Sequence, residues 1–228
     1  MLTQTKSLTW LVELASESRA KLLENPFYNS LSRASSIEEL GWIHQLYFLS
    51  SDFTAATAIR YGKCDNPLFR NAFARHAAEE VEHPEQLANW MREYGLISAG
   101  ETATSVKPNL PTLALGAYFV RSVIREPLAH QIITLNLMTE SIAVDFYNRV
   151  NPKLAQLGLT PKGYWLVHQE ADTEHQLLGL DLIPQCSFDS ALGKDYARTI
   201  WELTSLWQQV FYSWHELILI SNQPYSLN

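Results

Sequence analysis

Cysteine is scarce in this 228-residue chain, and its two copies, Cys64 and Cys186, form no Cys-x-x-Cys pair. We therefore expect neither a disulfide framework nor a zinc site built from thiolates. Basic residues are outnumbered by acidic ones, 17 to 24, and the net charge is −7. This balance disfavours nucleic acid or an anionic membrane surface as the main partner. No apolar run approaches the roughly 20 residues needed to cross a bilayer, so no membrane partner is expected either.

Signals for export and for division into domains are also lacking. The first six residues have no basic flank leading into an apolar segment, so no secretory signal is expected and we predict a cytoplasmic protein. There are no repeats and no low-complexity stretches. A hydrophobic content of 46% in a chain of this length can bury one sizeable core. We predict a single domain over residues 1–228.

Hydrophobic periodicity predicts about seven helices and no strand. Ser36 opens a capping box, Gly95 can end a helix, and Thr160 followed by Pro161 can begin one. The fold class expected is an all-α, single-domain helical bundle with its polar cluster in the interior. The predicted helices span residues 8–24, 36–61, 66–95, 113–124, 126–150, a segment starting at 160–161, and 190–220.

A His-x3-Asp-x2-His run, formed by His168, Asp172 and His175, is the most informative motif of the chain. On a helix these offsets place the three side chains within about 60° of arc. Imidazole and carboxylate groups that converge on a rigid element suit iron, manganese or zinc. A solvated polar helix face is the alternative for any one of them. The run indicates a metal site if other helices supply further ligands.

The predicted helix over residues 66–95 supplies a second acid and histidine cluster. Glu80 and His83 fall inside its apolar face, which also includes Val81, whereas Glu79 lies at the edge of that face. Glu79 is four residues before His83 and Glu80 is three before it, so either could bind the same ion. The helical wheel favours Glu80, but Pro84 breaks the hydrogen-bond ladder and can rotate this turn. Both glutamates therefore stay open as ligands.

Glu140 lies in the middle of the apolar stripe of the predicted helix over residues 126–150. A carboxylate in such a position needs a hydrogen bond, an ion pair or a metal ion. With two clusters elsewhere, we interpret Glu140 as a third ligand position. The other histidines without an acid or histidine at ligand spacing are assigned to packing or to the surface: His44, His130 and His215.

Together these motifs resemble a known family. The order Glu-Glu-x-x-His, interior glutamate, then His-x3-Asp-x2-His is similar to that of the haem-oxygenase-like diiron oxidases, which include CADD-like proteins. They belong to the superfamily that also holds the TenA and PqqC proteins. The Pro26-Phe27-Tyr28 segment resembles the stretch after the superfamily's first helix. The resemblance extends from Pro26 to the C-terminal helix and implies a haem-oxygenase-like bundle.

What the resemblance implies for function is a pair of Fe(II) ions in each chain, with dioxygen as co-substrate. Glu79 or Glu80 with His83 would bind one ion, and Glu140 would lie between or beside both. The His168, Asp172 and His175 group would complete the pair of sites. Family members oxidise a small-molecule substrate, commonly an amino acid, an amine or a fatty acid. His76 could orient one of the ligands.

One branch of the family forms p-aminobenzoate and uses an internal tyrosine and a lysine. Tyr28 resembles that tyrosine, which makes it a candidate catalytic residue. Val150 occupies the place of the lysine, and the nearest lysine is Lys153, so the chain departs from that branch. A buried tyrosine that packs the end of the first helix is the alternative for Tyr28. The seven Trp and ten Tyr are expected to pack the core and an oligomer interface, and we predict a homodimer.

Two other functions compete with the diiron oxidase. A metal-free enzyme of the TenA or PqqC type would use the same bundle but would leave the aligned ligand-type residues unexplained. A non-catalytic metal-binding protein would retain those residues without turnover. Substrate-dependent oxygen uptake separates the oxidase from the binding protein.

Overall fold

The computed structural model describes residues 8–168 and 177–221, and within these ranges the chain is helical and contains no strand. This confirms the all-α prediction. A π-helix, Ile133–Glu140, joins two of the α-helices, and short 3₁₀ turns occur at Ile37–Leu40 and Leu180–Leu182. The α-helices are α1 (Thr9–Leu22), α2 (Pro26–Arg33), α3 (Ile43–Lys63), α4 (Pro67–Glu80), α5 (His83–Glu93), α6 (Leu110–Arg125), α7 (Leu128–Ile132), α8 (Ser141–Gln156), α9 (described over 164–168) and α10 (Ala191–Ser221).

Helix α3 lies at the centre of one half of the bundle, packed against α6, α4 and α5, while α10 packs against α2, α1 and α6. Aromatic rings fill the core between these groups. The ring of Phe27 lies 5.6 Å from that of Phe211, and Trp42 stacks on Trp214 at 5.2 Å. These large rings dominate the buried apolar area that holds the helices together. No helix among the described residues has both the length and the apolar character needed to cross a membrane.

The helix predicted over residues 66–95 is divided into α4 and α5 by a turn at Val81 and Glu82. Pro84 has no N–H to donate to the carbonyl of Glu80, so the ladder cannot continue there. The hydroxyl of Thr54 on α3 donates to that carbonyl instead, at 3.1 Å. The turn leaves Val81 62% exposed, and its expected place on the apolar face is therefore wrong. The prediction that Gly95 ends this helical region is confirmed, because Gly95 follows α5 with a φ of 76°.

The π-helix interrupts the helix predicted over residues 126–150. All eight of its residues are buried. In a π-helix each N–H bonds five residues back, which widens the turn and changes which side chains share a face. Such segments are frequent at functional sites. Here the segment ends at Glu140, so its register sets where that carboxylate points.

Two local predictions differ from the structure, and one helix was not predicted. The capping box at Ser36 is present, with Glu39 accepting from the Ser36 N–H at 3.0 Å, but it begins the 3₁₀ turn and not α3. Thr160 and Pro161 precede α9 as irregular backbone instead of capping it. Helix α2 was not expected, although Asn25 caps it by accepting from the Phe27 N–H at 3.0 Å and Pro26 begins it. Helix α2, the division into α4 and α5, and the π-helix account for the helices beyond the seven or so expected.

Candidate metal centre

Acidic and histidine side chains from four helical segments meet in the interior of the bundle. They form two groups in which one potential ligand atom per residue lies within 4.8 Å of the others. Glu80 belongs to both groups, and every member is buried. The first group consists of Glu80, His83 and His168; the second consists of His76, Glu80 and Glu140.

Glu80 connects the two groups through its two carboxylate oxygens. Its Oε2 lies 2.8 Å from Nδ1 of His83, and its Oε1 lies 3.8 Å from Nε2 of His76. Because α4 ends at Glu80 and α5 begins at His83, the turn between the two helices brings this pair together. The carboxylate thus faces both groups at once.

Glu79 is placed differently from Glu80. Its side chain is 42% exposed and lies 3.6 Å from Nε of Arg75, one turn earlier on the same helix. It takes part in neither of the two groups found among the described residues. Among the residues that the structure describes, Glu80 therefore joins the cluster and Glu79 joins neither group.

His168 lies at the end of the described part of α9 and is 6% exposed. Its ring centroid is 4.3 Å from that of His83 and 4.5 Å from that of Tyr164. Tyr147 stacks on the other side at 5.1 Å and donates a hydrogen bond to the Tyr164 hydroxyl at 2.8 Å. The two tyrosines thus fix the imidazole within the core. Asp172 and His175, the other members of the motif, lie outside the described residues.

Arg60 of α3 supplies a buried positive charge beside the cluster. Its side chain donates from Nη1 to Oδ1 of Asn136 at 2.6 Å and from Nη2 to Nδ1 of His76 at 2.8 Å. The guanidinium also lies 4.0 Å above the ring of Phe73. Burial lowers the pKa of Arg60 to about 10, while the charges of Glu140 and Glu80 act in the opposite direction. Arg60 is therefore charged at neutral pH.

The contact from Arg60 determines which nitrogen of His76 carries the proton. A guanidinium can only donate, so Nδ1 of His76 must accept and the proton of the neutral imidazole is on Nε2. That Nε2 lies 2.7 Å from Oε1 of Glu140, so its proton faces the carboxylate. An orienting role of His76 towards Glu140 stays a prediction.

The donor set fits a transition-metal ion such as iron. Buried carboxylates are costly unless they are hydrogen-bonded or balanced by positive charge. The described cluster holds two carboxylates, Glu80 and Glu140, and one guanidinium, which leaves an excess of negative charge. Imidazole and carboxylate ligands together suit Fe(II). His83, His168, Glu80 and Glu140 are the described residues that could hold such ions.

A cavity opens onto the cluster, with a volume of about 50 Å³. Since one water needs about 10–15 Å³ of such space, it holds a few waters or a diatomic molecule. Glu80, Glu140 and His168 form its polar wall. The rest of the wall is mainly apolar and aromatic, and includes Leu46, Leu49, Phe53, Phe119, Tyr147, Tyr164 and Trp207.

Tyr28 is placed away from this cavity. It is buried at 8% exposure, and its ring packs on Phe27 at 5.2 Å and on Phe211 at 5.3 Å. Burial raises the pKa of its hydroxyl above the usual range. Tyr28 lines a different, surface cavity together with Lys153, while Val150 is fully buried in the core. Its catalytic role stays a prediction.

Comparison with known proteins settles the family. A family model described as an iron-containing redox enzyme matches residues 40–208. The chain belongs to this family. The matched range includes the cluster described above as well as Asp172 and His175. No curated protein matches the chain. Membership of the iron-containing redox enzyme family supports oxidoreductase chemistry in general and iron as the metal to be expected.

Solved structures with similar folds agree with the haem-oxygenase-like bundle. A domain of unknown function with a heme oxygenase-like fold from Shewanella denitrificans OS217 has a TM-score of 0.73 at 18% identity, covering 97% of this chain and 98% of its own. A TenA homolog from Pseudomonas syringae pv. tomato DC3000 has a TM-score of 0.70 at 13% identity, with coverage of 92% and 91%. At these identities the likeness shows the fold alone.

Arg60 and Asn136 are the members of this site that sequence reasoning missed. Arg60 follows Phe53, Ala56 and Thr57 at helical spacing, so it lies on the buried stripe of α3. An arginine on an apolar stripe signals a buried partner, because an isolated buried charge is costly. That signal was readable in the sequence. The contact with Asn136 was not, since it depends on the π-helical register.

Proposed function

We propose that this member of the iron-containing redox enzyme family is a diiron oxidase that uses dioxygen to oxidise a small organic substrate. The observation that carries the proposal is the position of Glu80 between two groups of buried ligand-type residues. One carboxylate that faces two groups suits two neighbouring ions. A single-metal site would leave the second group unexplained.

Each side chain then has a distinct part. His83 and His168 would provide imidazole ligands, and Glu80 and Glu140 would provide carboxylates. His76 would orient Glu140, because Arg60 donates to its Nδ1 and leaves its Nε2 proton facing that carboxylate. Asp172 and His175 are the further ligands that the motif predicts. When bound, Fe(II) in such an environment supplies the electrons and the open position for activating dioxygen.

The cavity supports a substrate with an apolar part near the metal centre. Apart from the ligand-type residues, its described lining contains no charged side chain. Phe53, Phe119 and Trp207 would exclude water and contact a hydrocarbon or aromatic group of the substrate. At about 50 Å³ the cavity encloses only a few atoms, so a substrate needs adjustment of the lining side chains or reaches in from outside.

Metal content and oxygen uptake test the proposal together. The chain is loaded with ferrous iron under anaerobic conditions, its iron is counted, and oxygen consumption is measured with amino acids, amines and fatty acids. We expect well above one iron per chain and substrate-dependent uptake. His168→Ala and Asp172→Ala should lose both, whereas Glu85→Gln, an exposed acid of α5 paired with Arg92, serves as a control that keeps them. Iron loading near zero in the wild-type chain contradicts the proposal.

The same measurements address the two other functions. A TenA homolog shares the fold, which is why a metal-free enzyme is tested alongside. Turnover that survives complete removal of iron would support that alternative and reject the diiron oxidase. Stoichiometric iron binding without oxygen uptake on any substrate would favour a non-catalytic metal-binding protein.

A further inference from the structure

A second cavity lies between α6, the start of the π-helix and α10, and none of the residues of the metal centre lines it. Its volume is about 300 Å³, which is in the range of small-molecule pockets. Its wall is dominated by polar and charged side chains, in contrast to the cavity at the metal centre. The lining residues used below include Tyr118, Arg121, Glu126, His130, Thr134 and Glu202.

Thr134 provides the first sign of a missing ligand. It is the second residue of the π-helix and is 1% exposed. Its hydroxyl is buried and has no hydrogen-bond partner among the described residues. A buried hydroxyl without a partner destabilises the fold, so such groups usually have a partner in the functional state. Because Thr134 lines the cavity, a ligand there can provide that partner.

Several other polar groups of the wall already have partners and form a fixed frame. His130 contacts Oδ2 of Asp195 through Nε2 at 2.9 Å and Oγ1 of Thr199 through Nδ1 at 2.8 Å. The Tyr118 hydroxyl donates to Glu202 at 2.9 Å. From the sequence, His130 was assigned to packing or to the surface. Its acidic partner Asp195 on α10 is too distant in sequence to be found from residue spacing. These contacts hold the wall of the cavity in place.

The remaining charges in the wall are of both signs. Arg121 and Glu126 line the cavity, and neither forms an ion pair within the part of the chain that the structure describes. A simple anion would face the carboxylates of Glu126 and Glu202. A simple cation would face the guanidinium groups of Arg121 and of Arg198, which also lines the cavity and pairs with Asp195. A molecule that carries both charges complements this wall better than either.

We propose that this cavity binds a small zwitterion with one carboxylate and one ammonium group. The carboxylate accepts from Arg121 and from the Thr134 hydroxyl, and the ammonium donates to Glu126. The site is separate from the metal centre and does not depend on iron. Both cavities nevertheless adjoin the same π-helix, with Thr134 near its start and Glu140 at its end.

The proposal is tested by titrating the iron-free protein with glycine, β-alanine and 4-aminobutanoate in a calorimeter. These probes differ in the number of methylene groups that separate their two charges. We expect saturable binding of at least one of them, with a matching rise in melting temperature as its concentration increases. Acetate and methylammonium, which carry one charge each, should bind at least about tenfold more weakly. Acetate binding as tightly as the best zwitterion, or no binding tighter than about 10 mM, overturns the proposal.

Thr134→Val removes the hydroxyl while keeping the shape of the side chain. We expect the ligand-free variant to be at least as stable as the wild type, and its affinity for the zwitterion to fall by about tenfold. Thr112→Val is the matched control, because Thr112 is also fully buried with an unpartnered hydroxyl but does not line the cavity. It should keep the full affinity. Unchanged affinity in Thr134→Val would refute the assigned role of this hydroxyl.

Charge variants test the two ends of the ligand separately. Arg121→Gln should reduce the affinity for the zwitterion and remove any residual binding of acetate. Glu126→Gln should reduce the affinity for the zwitterion but not for acetate. Arg125→Gln, an exposed neighbour at the end of α6 that does not line the cavity, should leave both unchanged. If the Arg125 and Arg121 substitutions weakened binding equally, general charge attraction would explain the binding of the zwitterion. That outcome would overturn the proposal. Since no iron is present, failure here leaves the diiron proposal untouched.

Discussion

Arg60 donates a hydrogen bond to His76 across 2.8 Å in a part of the core where both side chains are 1% exposed. The contact joins α3 to α4. It also fixes the proton of His76 on Nε2, which lies 2.7 Å from Glu140 at the end of the π-helix. A single buried cation therefore sets the tautomer of a histidine whose Nε2 faces a carboxylate of the candidate metal centre.

Arg60→Met should destabilise the fold by about 3 kcal/mol, because it removes the positive charge beside two buried carboxylates and leaves the acceptors on His76 and Asn136 without their donor. Urea unfolding of the iron-free protein measures this loss. Iron affinity should fall by about 10- to 100-fold, as expected when a group that orients a ligand is lost. Arg60→Lys should recover only part of both, since one ammonium cannot reproduce the fork of the guanidinium.

Arg75→Met is the control for that experiment. Arg75 is 60% exposed, and its described ion pair is with the exposed Glu79. Its loss should therefore change the unfolding free energy by no more than about 0.5 kcal/mol. If Arg60→Met and Arg75→Met had equal effects on stability, the described role of Arg60 would be wrong.

Glu80→Gln and Glu79→Gln should differ sharply in iron binding. Glu80 is buried and shared by the two ligand groups, so replacing one of its oxygens with an amide should lower the bound iron from two ions towards one or none. Glu79 belongs to neither group among the described residues and is partly exposed beside Arg75, so Glu79→Gln should retain the wild-type stoichiometry. Elemental analysis after anaerobic loading gives the comparison. Equal retention of iron by both variants would remove Glu80 from the metal centre.

The sequence predicts the helical class well because the apolar stripes of the long helices are strongly periodic. It also identifies Glu80, His83, Glu140 and His168 as members of one interior cluster, since each lies on or beside such a stripe. The structure brings those four residues together, and their roles as ligands stay predictions.

What the sequence does not predict depends on local backbone changes and on distant pairs. The turn at Val81 exposes a side chain that the wheel of an unbroken helix buries, because Pro84 removes one donor from the ladder. The π-helical register cannot be read from periodicity, and it brings Asn136 to Arg60. The pairing of His130 with Asp195 joins segments far apart in sequence, so spacing gives no signal for it.

Asp52→Asn should stabilise the protein at neutral pH and not at low pH. Burial raises the pKa of the Asp52 carboxyl above its usual value of 3.8, so the folded state disfavours the charged form. Below the usual value the group is neutral in both states and the substitution should have little effect. As the pH rises through the folded-state pKa, the wild type loses stability relative to the variant, and the difference then levels off. Urea unfolding between about pH 3 and pH 7 measures this. A constant difference at all pH values would contradict it.

Gly116→Ala should destabilise the contact between α3 and α6 through a clash with Asp52. A methyl group on Gly116 would overlap the carboxylate of Asp52, and also come within 3.1 Å of its Cβ. Relieving such overpacking costs about 1–3 kcal/mol, measured as the change in the free energy of unfolding.

Asp52→Ala provides the second arm of a double-mutant cycle, because it removes the carboxylate and keeps the Cβ. The loss caused by Gly116→Ala should be smaller in the Asp52→Ala background, with a coupling energy of at least about 0.5 kcal/mol. Gly41→Ala is a comparison variant, since apart from the adjacent backbone no atom lies within 4 Å of the added methyl group. It should change stability by less than Gly116→Ala does. If Gly116→Ala were equally costly with and without the Asp52 carboxylate, the clash would lie in the packing of the helix backbones and not with this side chain.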